Sequence, residues 1–236
     1  MKSIVSVTTA AASYDLTTMA KVLSELKITD TATTADKTLL ETQIADASSG
    51  IATYCDRVFP EETVSEVFWP DQNALNHRGG GSWGGQFWPG LGVGAQAEKL
   101  LLAGGGSKAR FPVTSIISVT LDDELLDASG YRVDPDDGFL FRLDDNGYPW
   151  TWYVQKSVVV AYVGGFAEIP SDVDHAARLW VADSWYAAAQ DPRLTSRNVY
   201  GVVSKTWAAG RGASGTYGLP PGVEARLSSY RRQPVA

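Results

Sequence analysis

Apolar positions recur along this chain with two different periods, and the places where the period changes divide it into elements. From Asp15 onward Leu16, Met19, Val22, Leu23 and Leu26 recur at three- and four-residue steps, which predicts a short helix. A longer helix is predicted over about 34–58, where Leu40, Ile44, Ala47, Ile51, Cys55 and Val58 make one buried stripe. Cys55 lies on that stripe and reads as a core side chain rather than a reactive thiol. Phe59-Pro60 stops the helix, and the period drops to two: Val64, Glu66 and Phe68 alternate with Ser65, Val67 and Trp69, as in a strand.

Residues 71–109 differ in kind. Eight of the sixteen positions from Gly79 to Gly94 are glycine, interleaved with Trp83, Phe87 and Trp88, and no charge occurs from Gly79 through Ala97. This predicts a long loop, ending in a short helical turn around 98–102. The β pattern resumes at Val113, Ile116, Ile117, Val119 and Leu121. Hairpins then follow through Asp134-Pro135-Asp136-Asp137-Gly138 and Asp145-Asn146-Gly147, which supply the residue types that tolerate positive φ. Trp150 and Trp152 on a strand, like Trp180 and Trp185 on a helix, read as core or half-buried cover. Ser171, with Asp174 three positions on, resembles a capping box opening a helix to about 189, and Asp191-Pro192 ends it. Near the end Val223, Leu227 and Tyr230 recur at i, i+4, i+7 among Arg226, Arg231 and Arg232. A helix of about ten residues is marginal alone, so this one is expected to form where a partner supplies a groove.

Composition narrows the classes. With 236 residues, 44% of them apolar, the chain can bury one substantial core or two small ones. The longest aliphatic run, Ser157 to Val163, is far too short to span a membrane, and Ile4-Val5-Ser6-Val7 is too short for a secretory apolar segment. A single cysteine excludes an internal disulfide. The net charge of −7 argues against general nucleic-acid affinity, but its distribution is uneven. Residues 193–236 carry seven basic side chains against Glu224 alone, whereas the rest is acidic, which suggests a basic tail that docks on something else.

No motif supplies chemistry in its required context. Gly80-Gly81-Ser82-Trp83-Gly84 matches the nucleophile-elbow spelling but lacks the preceding strand and following helix, with only His77 and His175 as bases. Gly92-Val93-Gly94-Ala95-Gln96-Ala97 lacks a βαβ setting, and Gly104-Gly105-Gly106-Ser107-Lys108 lacks the phosphate-loop ending. The acidic groups Asp122-Asp123-Glu124, Asp134 to Asp137 and Asp144-Asp145 sit beside turn residues and read as turn and surface acids. One cysteine and two histidines argue against a zinc site. The expectation is therefore a chain without catalytic residues, cofactor or metal. Trp83, Phe87 and Trp88 are expected to anchor on a partner, and the alternative is a carbohydrate-binding module in which Trp83 and Trp88 stack on sugar rings.

The order of parts carries a resemblance. Leu23-Ser24-Glu25-Leu26-Lys27-Ile28, then Leu39-Leu40, Ile44, Ala47, Ile51 and Tyr54-Cys55-Asp56-Arg57, are similar to the opening of tailed-phage head–tail connector (adaptor) proteins. So are Phe111 to Val119, Tyr131-Arg132-Val133-Asp134, Val158 to Phe166 with Ile169-Pro170-Ser171-Asp172-Val173 and Ala176, and the closing Leu219-Pro220-Pro221, Leu227 and Tyr230-Arg231-Arg232. The Gly/Trp segment has no counterpart in that family.

The resemblance implies an α+β fold: a helical bundle with an inserted antiparallel β-hairpin region and a flexible C-terminal arm. In that layout 1–62 holds the N-terminal bundle helices, 63–165 the β-rich insertion with its 71–109 loop, 166–207 the C-terminal bundle helices and 208–236 the basic docking arm. It further implies a non-enzymatic homo-oligomeric ring, commonly twelvefold, at the head–tail interface of a virion assembled in the host cytoplasm. Its partners would be the portal, a head-closure or tail-side protein and the capsid protein, with DNA passing through without specific binding. The portal-binding arm would use Val223, Arg226, Leu227, Tyr230, Arg231 and Arg232, and removing 220–236 is expected to leave the fold intact.

Overall fold

The computed structural model describes residues 2–28, 33–69, 95–102, 108–188, 196–199, 203–206 and 219–231. The chain is α+β and forms two compact units, each drawn from separated stretches: Met1–Ala12 with Glu61–Ala167, and Ser13–Pro60 with Glu168–Ala236.

The second unit is helical. Its helices are α1 (Met19–Leu26), α2 (Thr34–Tyr54), α3 (Ser171–Ala188) and the short α4 (Pro221–Leu227), which runs into a 3₁₀ turn at Ser228–Tyr230. Thr33 caps α2 reciprocally with Asp36: Thr33 Oγ1 accepts from the Asp36 amide at 3.2 Å while the Asp36 carboxylate accepts from the Thr33 amide at 3.0 Å. The predicted stripe does the packing, since Leu40, Ile44 and Ala47 join Val22, Leu26 and Val181 in one cluster. Gly50 allows α2 and α3 to approach closely, because a Cβ there would lie 2.3 Å from the Trp180 ring. The helix ends at Tyr54, short of the expected 58, because Asp56 turns the backbone left-handed at φ 50. Asp174 does not close the expected capping box on Ser171. Its carboxylate lies 3.4 Å from both Lys21 and Arg178, and Arg178 also reaches Glu25 at 2.7 Å, tying α3 to α1.

The first unit is built on β1 (Lys2–Thr9), β2 (Glu62–Trp69), β3 (Ala95–Ala97), β4 (Leu100–Leu101), β5 (Val113–Leu121), β6 (Glu124–Leu125), β7 (Tyr131–Val133), β8 (Phe139–Leu143), β9 (Pro149–Trp150), β10 (Trp152–Val154) and β11 (Val158–Gly164). β1, β2, β11, β5 and β6 form one antiparallel sheet in that order. β4, β8, β7 and β9 make a second sheet, and β10 pairs with β3. The core includes Val64, Phe68, Val119, Val158 and Val160 from the large sheet, Leu100, Leu140 and Trp152 from the small ones, and Leu102 just beyond β4. The hairpin β12 (Ser196–Val199) and β13 (Val203–Thr206) belongs to the helical unit.

Two expectations are corrected here. Residues 2–9, placed above with the N-terminal bundle helices, form an edge strand of the β unit. Residues 98–102 form no helical turn: Leu100 and Leu102 are buried at a spacing of two, and Leu100 pairs with Leu140. The non-local ladder overrides the local helical propensity of Glu98-Lys99-Leu100-Leu101.

Candidate assembly interface

The large sheet distributes its side chains in an unusual way. A solvated sheet face normally shows polar and charged residues while the covered one is apolar. Here two carboxylates point inward. Glu66, fully buried, accepts from Ser3 Oγ at 2.6 Å and from the Tyr162 hydroxyl at 3.2 Å. Burial, and then the Glu66 charge, push the Tyr162 phenol upward. Glu62 accepts from Arg110 Nε at 2.6 Å, and Gly164 makes room for the Arg110 backbone, whose carbonyl oxygen would lie 2.4 Å from an added Cβ.

The outward face carries no charge on its three main rows. The register places Ile4, Val67, Val159, Thr120 and Leu125 side by side across all five strands. One step along, Ser6, Ser65, Ala161 and Ser118 make a row of small residues, and Thr9, Thr63, Val163 and Ser115 make the next. None of these thirteen side chains is buried, and the ends of the first row are open, with Ile4 59% and Leu125 69% exposed. The small row is therefore a shallow trough flanked by larger side chains on both sides except at Ser115. It is about 14 Å long across four strands and about 14 Å wide from flank to flank.

The same unit presents aromatic side chains elsewhere. Trp150 is 51% exposed whereas Trp152 is fully enclosed, its indole N–H donating to the Leu140 carbonyl at 3.3 Å. Trp150 is thus not core, because the chain changes partner between the two: Trp150 pairs with Arg142 on β8, and Trp152 with Ala97 on β3. Tyr148 and Tyr153 are exposed beside it in sequence.

In the helical unit the C-terminal stripe finds its cover within the chain. Leu219, Val223 and Leu227 are buried, and α4 packs along α3. Tyr230 stacks obliquely on Phe59 with ring centroids 6.0 Å apart, and the Arg231 guanidinium lies 5.6 Å from the Tyr54 ring. Residues 219–231 are therefore part of this unit rather than a free arm, and a deletion from 220 would strip two core side chains. The stripe predicted the buried face correctly but not what covers it. Of the proposed arm residues, Arg226 and Arg231 are exposed, Val223 and Leu227 are enclosed, Tyr230 is half-buried, and Arg232 lies outside the described residues.

Other candidates resolve into structural roles. Cys55 is buried, and burial pushes its thiol up to about 11 against the pull of Arg57 and Arg231. Partial burial works against ionisation of Asp122, but the amides of Lys156, Gln155 and Ser157, which it accepts at 2.6–3.1 Å, outweigh this and hold its carboxyl low. Asp134 and Asp144 accept amides of their own turns. His175 is half-buried in α3. Among the described residues no group of three or more His, Cys, Asp or Glu is placed to hold a metal ion. No helix among them is long and apolar enough to cross a membrane. Trp83, Phe87 and Trp88, read as partner anchors, with Trp83 and Trp88 as the alternative sugar platforms, lie outside the described residues, as do His77 and Ser82.

No family model and no curated protein matches the sequence. Solved structures do match the fold. A chain from "Neck of empty GTA particle computed with C6 symmetry" superposes with a TM-score of 0.54 at 16% identity, over 99% of this chain and 97% of that one. A chain from "Virion of native gene transfer agent (GTA) particle" gives 0.52 at 15% identity over the same shares. The fold is thus one found in the neck and virion of gene transfer agent particles, in agreement with the fold class that the sequence resemblance implies.

Proposed function

We propose that this chain is a structural component of a particle neck: a head–tail connector that forms a ring below the portal, joins the capsid vertex to the tail and lets DNA pass. The observation that carries the reading is the match of nearly the whole chain, both units included, to a chain of a gene transfer agent neck. The connector resemblance in the sequence supports it independently.

The surface supports it too. The uncharged outward sheet face suits contact with protein rather than solvent, and the net charge of −7 suits a channel that DNA must traverse without adhering. On this reading the ring is twelvefold, the ring copies and the portal are the direct partners, and a head-closure or tail-side protein lies below. Portal contact runs through the exposed arginines of the C-terminal segment, Arg226 and Arg231, with Arg232 following. Many weak contacts of this kind on one ring add up to firm attachment through effective concentration.

Native mass spectrometry of the chain alone and with purified portal tests this. A single high-mass complex of portal and several copies is expected, which Arg226→Glu weakens at least threefold without lowering the melting temperature. Absence of any complex with portal would contradict the reading.

A further inference from the structure

We infer that copies of this chain join head to tail through the β unit, the uncharged trough of one copy receiving the exposed aromatic ridge around Trp150 of the next. The inference rests on the ring reading above and specifies its contact.

The trough is built for an apolar partner. Its floor, Ser6, Ser65, Ala161 and Ser118, is small, flat and uncharged, while the carboxylates of the neighbouring strand positions, Glu62 and Glu66, are turned into the core. Three successive rows of an exposed sheet face without a charge are a liability unless something covers them. The exposed aromatic side chains supply the apolar partner. Trp150, with Tyr148 and Tyr153 close in sequence, offers large, stiff side chains that lose little conformational freedom on docking, the residue types that anchor interfaces.

Trough and ridge are different surfaces of the same unit, so their contact is heterologous. Such a contact closes into a ring when the rotation between copies permits, whereas a face-to-face contact of two troughs stops at a dimer. Area points the same way. Five strands at about 4.8 Å spacing and a depth of some six residues give roughly 500 Å², below the roughly 800 Å² per partner of a standard stable complex. A single contact is therefore weak, and ring closure or the portal template is needed to hold it, as expected of a part that assembles only in place.

Cysteine cross-linking within assembled particles tests it. Cys55 is buried, so the parent chain gives no background. Particles carrying both Ala161→Cys and Pro149→Cys, which leave Trp150 in place beside an exposed position, are expected to yield, on mild oxidation, a ladder of disulfide-linked copies running up to the ring number, and either single variant none. Dimers from Ala161→Cys alone would mean face-to-face packing and overturn the inference. Rings visible at the neck with no ladder from the double variant would overturn it while leaving the connector reading intact. Particles with no ring of this chain would overturn that reading and the inference together. Independently, Ala161→Lys is expected to cut incorporation into necks at least tenfold at an unchanged melting temperature, and normal incorporation would contradict the contact.

Discussion

The β unit and the helical unit solve the placement of charge in opposite ways. In the helical unit the apolar stripe of α4 is spent inside the unit, and Arg226 and Arg231 of the same C-terminal segment are exposed. In the β unit Glu62 and Glu66 are spent inside, and the three main outward rows carry no charge. Buried carboxylates add little net stability even when well partnered, because desolvation offsets the attraction, so this arrangement is not explained by stability alone. Three outward rows cleared of charge are what an apolar partner on that face, as proposed above, would require. The difference teaches that the two units offer different contacts: shape and apolar area on the sheet, charge on the helical segment.

The largest expected effect separates two tryptophans two residues apart. Trp152→Ala should cost about 3–5 kcal/mol in denaturant unfolding, and Trp150→Ala no more than about 0.5 kcal/mol. Similar losses would mean that Trp150 is core and the ridge does not exist. Next, Leu227→Ala should cost about 2–5 kcal/mol, since its side chain is enclosed, while Arg226→Ala should leave stability within about 0.5 kcal/mol. If Leu227→Ala were silent, the C-terminal helix would be a free arm after all, and the contrast between units would collapse.

Smaller effects follow from pH. The Cys55 thiol stays protonated in the fold up to about 11. In the unfolded chain it ionises near 8.5, so its contribution is full at neutral pH and is lost as pH rises between those values. Thermal melts from pH 7 to 11 should show that loss, and Cys55→Ala should flatten it. On the acid side the carboxyl of Asp122 is held low, so its contribution is present above the ordinary carboxylate range and fades as pH falls below it. Asp122→Asn should weaken the acid dependence slightly, and an unchanged profile would deny the amide cradle its role.

Local pattern carried much of the fold. The stripe from Leu40 through Ile51 and the alternation Val64, Glu66, Phe68 both mark the faces that are buried. What stayed illegible was non-local. Residues 2–9 form a strand only because β2, some sixty positions later, gives them a ladder. Trp150 and Trp152 have the same parity and separate only because the chain switches partner strand between them. The trough is a cross-strand object: its four floor residues come from four strands spread between Ser6 and Ala161, and no periodicity brings them together. The stripe of Val223, Leu227 and Tyr230 shows which side is apolar but not whose surface covers it.

The central claim, that this chain is a ring-forming part of a particle neck, is tested most directly by electron microscopy of purified particles encoded with it. The account predicts a closed ring of copies of this fold between portal and tail, each β unit against the next. Particles whose necks are complete without this chain would contradict it.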